Sequence, residues 1–429
     1  MSRLLHLLAG RISHGRILLW TPDGRRRAHA GSQPGPTVRV RVHDPHLARR
    51  LVTGGASALG ASFVEGGWET DNLPDTLRIL SATVDSRVRS PLGQSLQARA
   101  GGIFGAVRAR LGADGAVATM ADHYNLGNRF YATWLDPSMS YSSALFDQAL
   151  PEDVPNSHVS IPPVQELGAT TPPPVLGASA DAVDRDVLAA GQRAKYDRIL
   201  DRAGVQAGDR VLEIGFGWGG FAEVAASRGI HVTGVTIARE QLDFAGKRLA
   251  EAGLAGDVDL HLLDFADVET RLEPNSFDAV VSIEMIESIP QRRWADLFGV
   301  TRRMLRPGGT AVFQVIMIAD DLFETYARRE DFITTWIFPG GRLPSPAVVR
   351  ELATESGLAE QDVLAFGGSY ATTLATWWRD FDAAFDTTVR RLGFDDRFRR
   401  MWHYYLGYCQ AGFEIGRIDV QQWTWRAPA

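Results

Sequence analysis

Val211-Leu212-Glu213-Ile214-Gly215-Phe216-Gly217-Trp218-Gly219-Gly220-Phe221 reads as a buried strand running through a glycine turn straight into a helix. Glycines at 215, 217, 219 and 220 remove the Cβ atoms that would hold a ligand off the backbone. A helix beginning near Gly219 directs its free N–H groups at whatever binds. A dinucleotide site would show G-x-G-x-x-G with an acidic residue about 20 positions further on. Here the turn runs G-x-G-x-G-G, the next strand (His231 to Thr236) ends in threonine, and the first polar side chain within reach of a ribose is Gln241. That pattern argues against NAD.

Outward from the turn, strands and helices alternate. A helix over Val187 to Ala203 precedes it. Strands are expected at His231–Thr236, Val258–Leu263, Phe277–Ser282 and Thr310–Val315, with helices at Arg239–Ala252 and Gln291–Leu305 and a turn at Pro307-Gly308-Gly309. This spacing predicts an α/β fold built on a doubly wound, mostly parallel sheet, in which ligands sit beyond the carboxyl ends of the strands. Those ends carry Gly215, Thr236, Asp264-Phe265, Ile283 to Glu287 and Gln314 to Ile316, so they converge on one crevice. The tryptophan- and tyrosine-rich remainder after Asp320 shows no strand pattern beyond about Gly368 and is expected to form a helical lid.

Composition narrows the function classes. The 429 residues are 45% hydrophobic and 22% charged, enough for two domains and a substantial core, and the formal net charge is −6. A modest acidic balance gives no global attraction to nucleic acid or to an anionic bilayer. The strand-end sequence Ser282-Ile283-Glu284-Met285-Ile286-Glu287-Ser288 also lacks the N/D-P-P-Y/F motif of nucleic-acid methylation. One cysteine, Cys409, excludes an internal disulfide or a cysteine-based metal site, no metal is expected, and the usage fits a reducing cytoplasm. No apolar run approaches the ~20 residues a bilayer span needs. Leu4, Leu5, Leu7 and Leu8 with their flanking arginines form either a surface-seeking helix or one packed on its own domain.

Residues 1–118 read as a small N-terminal α+β accessory domain, with strands at Ile17–Trp20 and Thr37–His43, helices at Pro45–Thr53 and Leu73–Arg87, and no grouping of acid, base and nucleophile. Residues 119–429 read as the catalytic domain. Within it, 123–146 is dense in aromatics, and about 150–185 holds seven of the 21 prolines, as expected of an inserted loop.

Seven separated stretches together resemble the cyclopropane-fatty-acyl-phospholipid synthase family, to which the mycolic acid cyclopropane synthases are related. They are HYNLGNRFYATWLDPSMSYSSALF (123–146), VLEIGFGWGG (211–220), GVTIAREQ (234–241), SIEMIES (282–288), QVIMI (314–318), WIFPGG (336–341) and FGGSYATTL (366–374). The resemblance implies a class I methyltransferase fold and S-adenosylmethionine as cofactor. Tyr141, Ser142, Gly215 and Gly217 would surround its methionine part, Thr236 and Gln241 its ribose, Asp264 and Phe265 its adenine, and the backbone at Ile283 would close the cradle.

The same resemblance implies a bound bicarbonate as general base, held by Ser143, Glu287, Gln314, Ile316 and Tyr370. Ser143 replaces a frequent Cys, Gln314 a frequent His, Phe216 a frequent Cys, and Ser288-Ile289-Pro290 the usual turn after the glutamate. The implied reaction is methyl(ene) transfer to the cis double bond of unsaturated phospholipid acyl chains, through a carbocation, forming cyclopropane fatty acids. A methylene- or methyl-branched product is the alternative, since the placement of the base selects between ring and branch. A non-catalytic lipid-binding scaffold is the alternative of another class. The implied setting is the inner face of a membrane, reached peripherally from the cytoplasm, as a homodimer in some members and with a reductase partner if the product is methylene-branched.

Overall fold

A computed structural model describes residues 2–88, 126–146 and 182–429. Both the 118/119 domain boundary and most of the proline-rich insertion lie outside the described residues.

The catalytic sheet has seven strands: β5 (Arg210–Ile214), β6 (His231–Thr236), β7 (Val258–Leu262), β8 (Phe277–Ile283), β9 (Leu305–Ile318), β10 (Ala359–Ala365) and β11 (Ile418–Arg426). Their spatial order is β10-β11-β9-β8-β5-β6-β7. The pairs from β7 to β9 are parallel, while β11 runs antiparallel to both β9 and β10. Parallel strands need both faces covered, and β5 and β8 accordingly show runs of buried residues with no alternation.

The sequence expectation failed at three places. β10 lies in the remainder after Asp320 that was expected to be helical. The end of the chain is a strand, inserted between β9 and β10, because Val420 and Gln422 to Trp425 are buried with both faces covered and so leave no two-residue period to read. Pro307-Gly308-Gly309 ends no element either. It lies inside β9 as a bulge, since the register with β8 jumps between Phe277↔Leu305 and Ala279↔Thr310, and Gly308 supplies the left-handed backbone at φ +70°.

The N-terminal unit pairs β1 (His14–Trp20), β2 (Arg26–Ala30), β3 (Gln33–Val42) and β4 (Trp68–Thr70) in the order β2-β1-β3-β4, with helices α1 (Ser2–Ala9), α2 (Leu47–Val64, kinked at Gly55) and α3 (Leu73–Val88). It is bolted to the catalytic part through the long C-terminal helix. Arg400 of that helix donates to the carbonyls of Phe63 and Trp68 at 2.6 and 2.8 Å, with its guanidinium over the Phe63 ring. A Cβ on Gly60 of α2 would lie 2.3 Å from Phe332 of the lid, so the contact leaves no room for a side chain. Aromatic rings meet across the join, Phe63 of the N-terminal unit lying 5.6 Å from Tyr404 of the lid between ring centroids, with both buried.

Besides a single turn at Asn128–Tyr131, the further α-helices among the described residues are α4 (Arg185–Ala203), α5 (Gly220–Ala226), α6 (Arg239–Glu251), α7 (Trp294–Met304), α8 (Asp320–Ala327), α9 (Pro346–Glu355), α10 (Gly367–Ala384) and α11 (Asp396–Glu414). The lid is α10 and α11 together with the segment 326–343.

Candidate active site

The turn between β5 and α5 has the conformation its glycines foretell. Gly215, Gly217 and Gly219 all have positive φ, and a Cβ on Gly215 would sit 2.9 Å from Met285 Cγ. The resulting crevice is lined by Tyr141, Ser142, Gly215, Gly217, Thr236, Gln241, Asp264, Phe265 and Ile283, so all nine residues expected to hold the cofactor face one hollow. Thr236 donates to Gln241 Oε1 at 3.1 Å, and Gln241 is buried despite its place in the first turn of α6. Asp264 caps the short helix after β7 and is gripped by Arg293, at 2.6 and 3.2 Å. That guanidinium also lies over the Phe265 ring, 4.4 Å from its centroid. Arg293 holds the Asp264 carboxyl below its ordinary range against the opposing push of burial. Glu213, at the floor, has a buried Oε2 with no partner, and burial raises its carboxyl to about 8, opposed by Lys195.

A second, mostly apolar pocket adjoins the first. Ile316, Ile318, Phe338, Tyr370, Leu374, Tyr405 and Phe413 line it, and Ser81 of α3 contributes to its wall. Tyr141, Glu284 and Ser288 line both hollows and form the partition between them.

Three of the five residues expected to hold bicarbonate, Ser143, Gln314 and Tyr370, are brought together, but around a side chain that the sequence reading did not single out, while Ile316 pairs with Glu287. Ser143 N donates to Glu284 Oε1 at 2.9 Å, Gln314 Nε2 to the same oxygen at 2.7 Å, and the Tyr370 hydroxyl to Glu284 Oε2 at 2.7 Å. Glu284 reaches them because its backbone is left-handed, φ +50°, which is uncommon for a residue with a Cβ. Burial raises its carboxyl pKa, and Tyr370, Lys195, Gln314 and Ser143 pull it back. The Tyr370 hydroxyl is itself pushed well up by burial and by the Glu284 charge, so it stays a donor.

Glu287, the acid expected to hold bicarbonate, stands aside. Its Oε1 accepts from the Ile316 amide, while its Oε2 is buried with no partner. Burial and the nearby Glu284 raise its carboxyl to about 8. Arg293, a cation in the segment after it, is spent on Asp264. The Phe338-Pro339-Gly340-Gly341 turn backs this segment, where Arg342 N donates to the Glu287 carbonyl at 2.9 Å.

Behind the partition, Lys195 is fully buried and donates to Ser142 Oγ at 2.6 Å and Gln192 Oε1 at 2.5 Å. Desolvation lowers its pKa to about 8. Of the residues missed from sequence, Glu284 had a signal, two acids three apart at a strand end. Lys195 and Arg293 had none, being ordinary helix and loop cations until folded.

A seven-stranded sheet with one reversed strand, and a glycine turn opening onto a nucleoside-sized crevice, define a class I S-adenosylmethionine-dependent methyltransferase. More narrowly, the chain belongs to the mycolic acid cyclopropane synthetase family, whose family model matches residues 113–423. It is 35% identical over 385 residues, 89% of this chain and 82% of the relative, to tuberculostearic acid methyltransferase UfaA1 of Mycobacterium tuberculosis. It is 30% identical over 397 residues, 92% of this chain and 87% of the relative, to the cyclopropane-fatty-acyl-phospholipid synthase of Escherichia coli K12. Among solved structures, mycolic acid cyclopropane synthase CmaA1 complexed with SAH and CTAB matches at TM-score 0.58 and 27% identity, covering 74% of this chain and 99% of that one.

The crevice fits S-adenosylmethionine on its own terms. The glycine cradle is where a Cβ would intrude, the unpartnered Glu213 oxygen suits the methionine ammonium, and the Thr236–Gln241 pair suits a ribose.

Proposed function

We propose that this enzyme methylates the cis double bond of unsaturated phospholipid acyl chains and that Glu284, in place of bicarbonate, is the base that completes the reaction, leaving a methylene-branched chain. The observation that carries the reading is the convergence of Ser143 N, Gln314 and Tyr370 on the Glu284 carboxylate, at the wall between the cofactor crevice and the apolar pocket. A small anion would need those same donors.

When bound, S-adenosylmethionine supplies an electrophilic methyl on a sulfonium, and its uptake by one alkene carbon leaves a positive charge on the other. The apolar pocket holds the chain beside that methyl and keeps out water, which would trap the cation. Rings at the partition, Tyr141 with Trp377 behind it, offer about 0.5–2 kcal/mol each to a desolvated cation. Glu284 then takes a proton.

Timing decides the product. Immediate loss of a proton from the new methyl closes a cyclopropane. If a hydride first shifts from the methyl-bearing carbon, the same proton loss gives an exocyclic methylene. A carboxylate tethered to a strand end cannot move up to the new methyl as a small bound ion can, which favours the shift. Similarity to an enzyme named for tuberculostearic acid, a methyl-branched chain, supports the same outcome. Saturating the methylene would fall to a separate reductase.

The acyl chain has to leave a bilayer. Among the described residues no helix is long and apolar enough to cross one. The exposed Leu7 of α1, with Ser81 of α3 at the pocket wall, supports access through the N-terminal unit at the inner face of a membrane. The product is tested by incubating the enzyme with [methyl-¹³C]-S-adenosylmethionine and dioleoyl phospholipid vesicles and recording NMR spectra of the chains. Downfield exocyclic methylene signals are expected. Upfield ring signals would return the product to cyclopropane, and no label in lipid would sink the reading.

A further inference from the structure

Gln314 meets Glu284 with its amide nitrogen, yet nothing in a glutamine itself dictates which end of the amide turns where. Its neighbours do. Gln314 Oε1 accepts from Gln422 Nε2 at 3.0 Å, and Gln422 Oε1 accepts from Arg198 Nη1 at 2.8 Å. Arg198, on α4, gives its other arm to Asp362 of β10 at 2.5 Å, and Arg202 Nε lies 3.3 Å from the same carboxylate oxygen.

A guanidinium has donors only and keeps its charge at any working pH. It therefore demands the oxygen of Gln422, which turns the Gln422 nitrogen toward Gln314. Gln314 must answer with its own oxygen, and that leaves its nitrogen for Glu284. Gln314 and Gln422 are 1% and 0% exposed, so water does not compete for these contacts.

We infer that Asp362, Arg198, Gln422 and Gln314 form a one-way hydrogen-bond relay from the sheet surface to Glu284, in which Arg198 and Gln422 are positioning residues that keep an N–H donor on the reacting carboxylate. The inference rests on the reading of Glu284 as the base. Neither Arg198 nor Gln422 lines the cofactor crevice or the apolar pocket, so their effect reaches the chemistry only through Gln314. Without Arg198 the two amides keep only longer backbone contacts, Gln422 Nε2 to the Lys195 carbonyl at 3.5 Å and Gln314 Nε2 to the Ser143 carbonyl at 3.4 Å, and a flip of the pair presents the Gln314 oxygen to the carboxylate. Two facing acceptors repel, and Glu284 holds its proton to higher pH. The other titratable groups around Glu284 are untouched by such a flip. They are Lys195 from α4, Glu287 from the same loop, Tyr370 from α10, and Glu213 in the same crevice.

The test is the pH dependence of kcat for the full chain, with dioleoylphosphatidylglycerol vesicles and S-adenosylmethionine, and with cofactor binding by calorimetry as the control for folding. Arg198→Met is expected to lower kcat at pH 7 about tenfold and to move the acidic limb upward, with unchanged cofactor affinity. Arg198→Lys, which also only donates, is expected to restore the limb. Gln422→Glu, an acceptor facing Gln314, should move the limb in the same direction and serves if Arg198→Met does not fold. A limb left at its wild-type position in the folded variants, alongside an inactive Glu284→Gln enzyme, overturns the relay alone. Wild-type turnover in Glu284→Gln overturns the base reading and the relay together.

Discussion

Glu284 and Glu287 stand three residues apart after β8, both partly buried and both lining the apolar pocket, and they are in opposite situations. Glu284 receives three donors from three different parts of the chain and lies on the partition between the glycine-turn crevice and the apolar pocket. Glu287 receives a single backbone amide and keeps one oxygen unpartnered, so burial holds it protonated to about pH 8. Position along the chain thus says little about which acid does the chemistry. What separates them is how many donors the folded structure aims at each carboxylate, since donors to the charged form keep it available as a base.

The comparison breaks first at Glu284 itself. Glu284→Gln keeps the shape and removes the proton acceptor, and single-turnover transfer of labelled methyl should slow by about 10²–10⁴-fold, the usual worth of a positioned base. Cofactor affinity, read by calorimetry, should be nearly unchanged. Tyr370→Phe removes one of the three donors while leaving its ring stacked on Phe413, with centroids 4.5 Å apart. Turnover should fall about 10-fold, and the acidic limb of the pH profile should move up as Glu284 loses a donor to its charged form.

Glu287→Gln is expected to have the smallest effect on rate, under about tenfold, and a larger one on stability. The sign follows from linkage. The folded Glu287 carboxyl keeps its proton to about 8, whereas the unfolded one releases it near the ordinary 4.5. The folded state therefore binds more protons in between, and its stability is fully present below 4.5 and falls as pH rises toward 8. Replacing the acid should flatten that part of the pH dependence and raise stability at pH 8 by on the order of 1–3 kcal/mol. Thermal melts at pH 5 and pH 8 check it. A Glu287→Gln enzyme as slow as Glu284→Gln would erase the distinction between the two acids.

Much of this arrangement was legible in the sequence, for identifiable reasons. The β5 turn declares itself through glycines that only a left-handed backbone with a ligand-sized gap would require, and β6 to β8 and α6 declare themselves through their apolar periods. Gly215, Thr236, Asp264, Phe265 and Ile283 of the crevice follow, because strand ends are places that the sequence itself marks, whereas Tyr141, Ser142 and the role of Gln241 came from the resemblance. β11 was hidden because a strand buried on both faces has no alternation, and Gln421-Gln422-Trp423-Thr424-Trp425 carries no β-branched run. Glu284 was hidden for a different reason. Family resemblance pointed to Glu287, and the φ of +50° at Glu284 is a feature of the folded loop that no pattern in the sequence announces. Ser143, Gln314 and Tyr370 were named together from sequence and stand together in the fold, whereas the carboxylate that they hold was not named.

Whether this chain carries its own base can be asked without any mutation. Wild-type turnover on dioleoyl phospholipid vesicles is measured in buffer stripped of carbon dioxide, and again after bicarbonate is added back. With Glu284 seated on all three donors, the two rates should be the same. A rate that collapses on stripping and returns with bicarbonate would contradict the account.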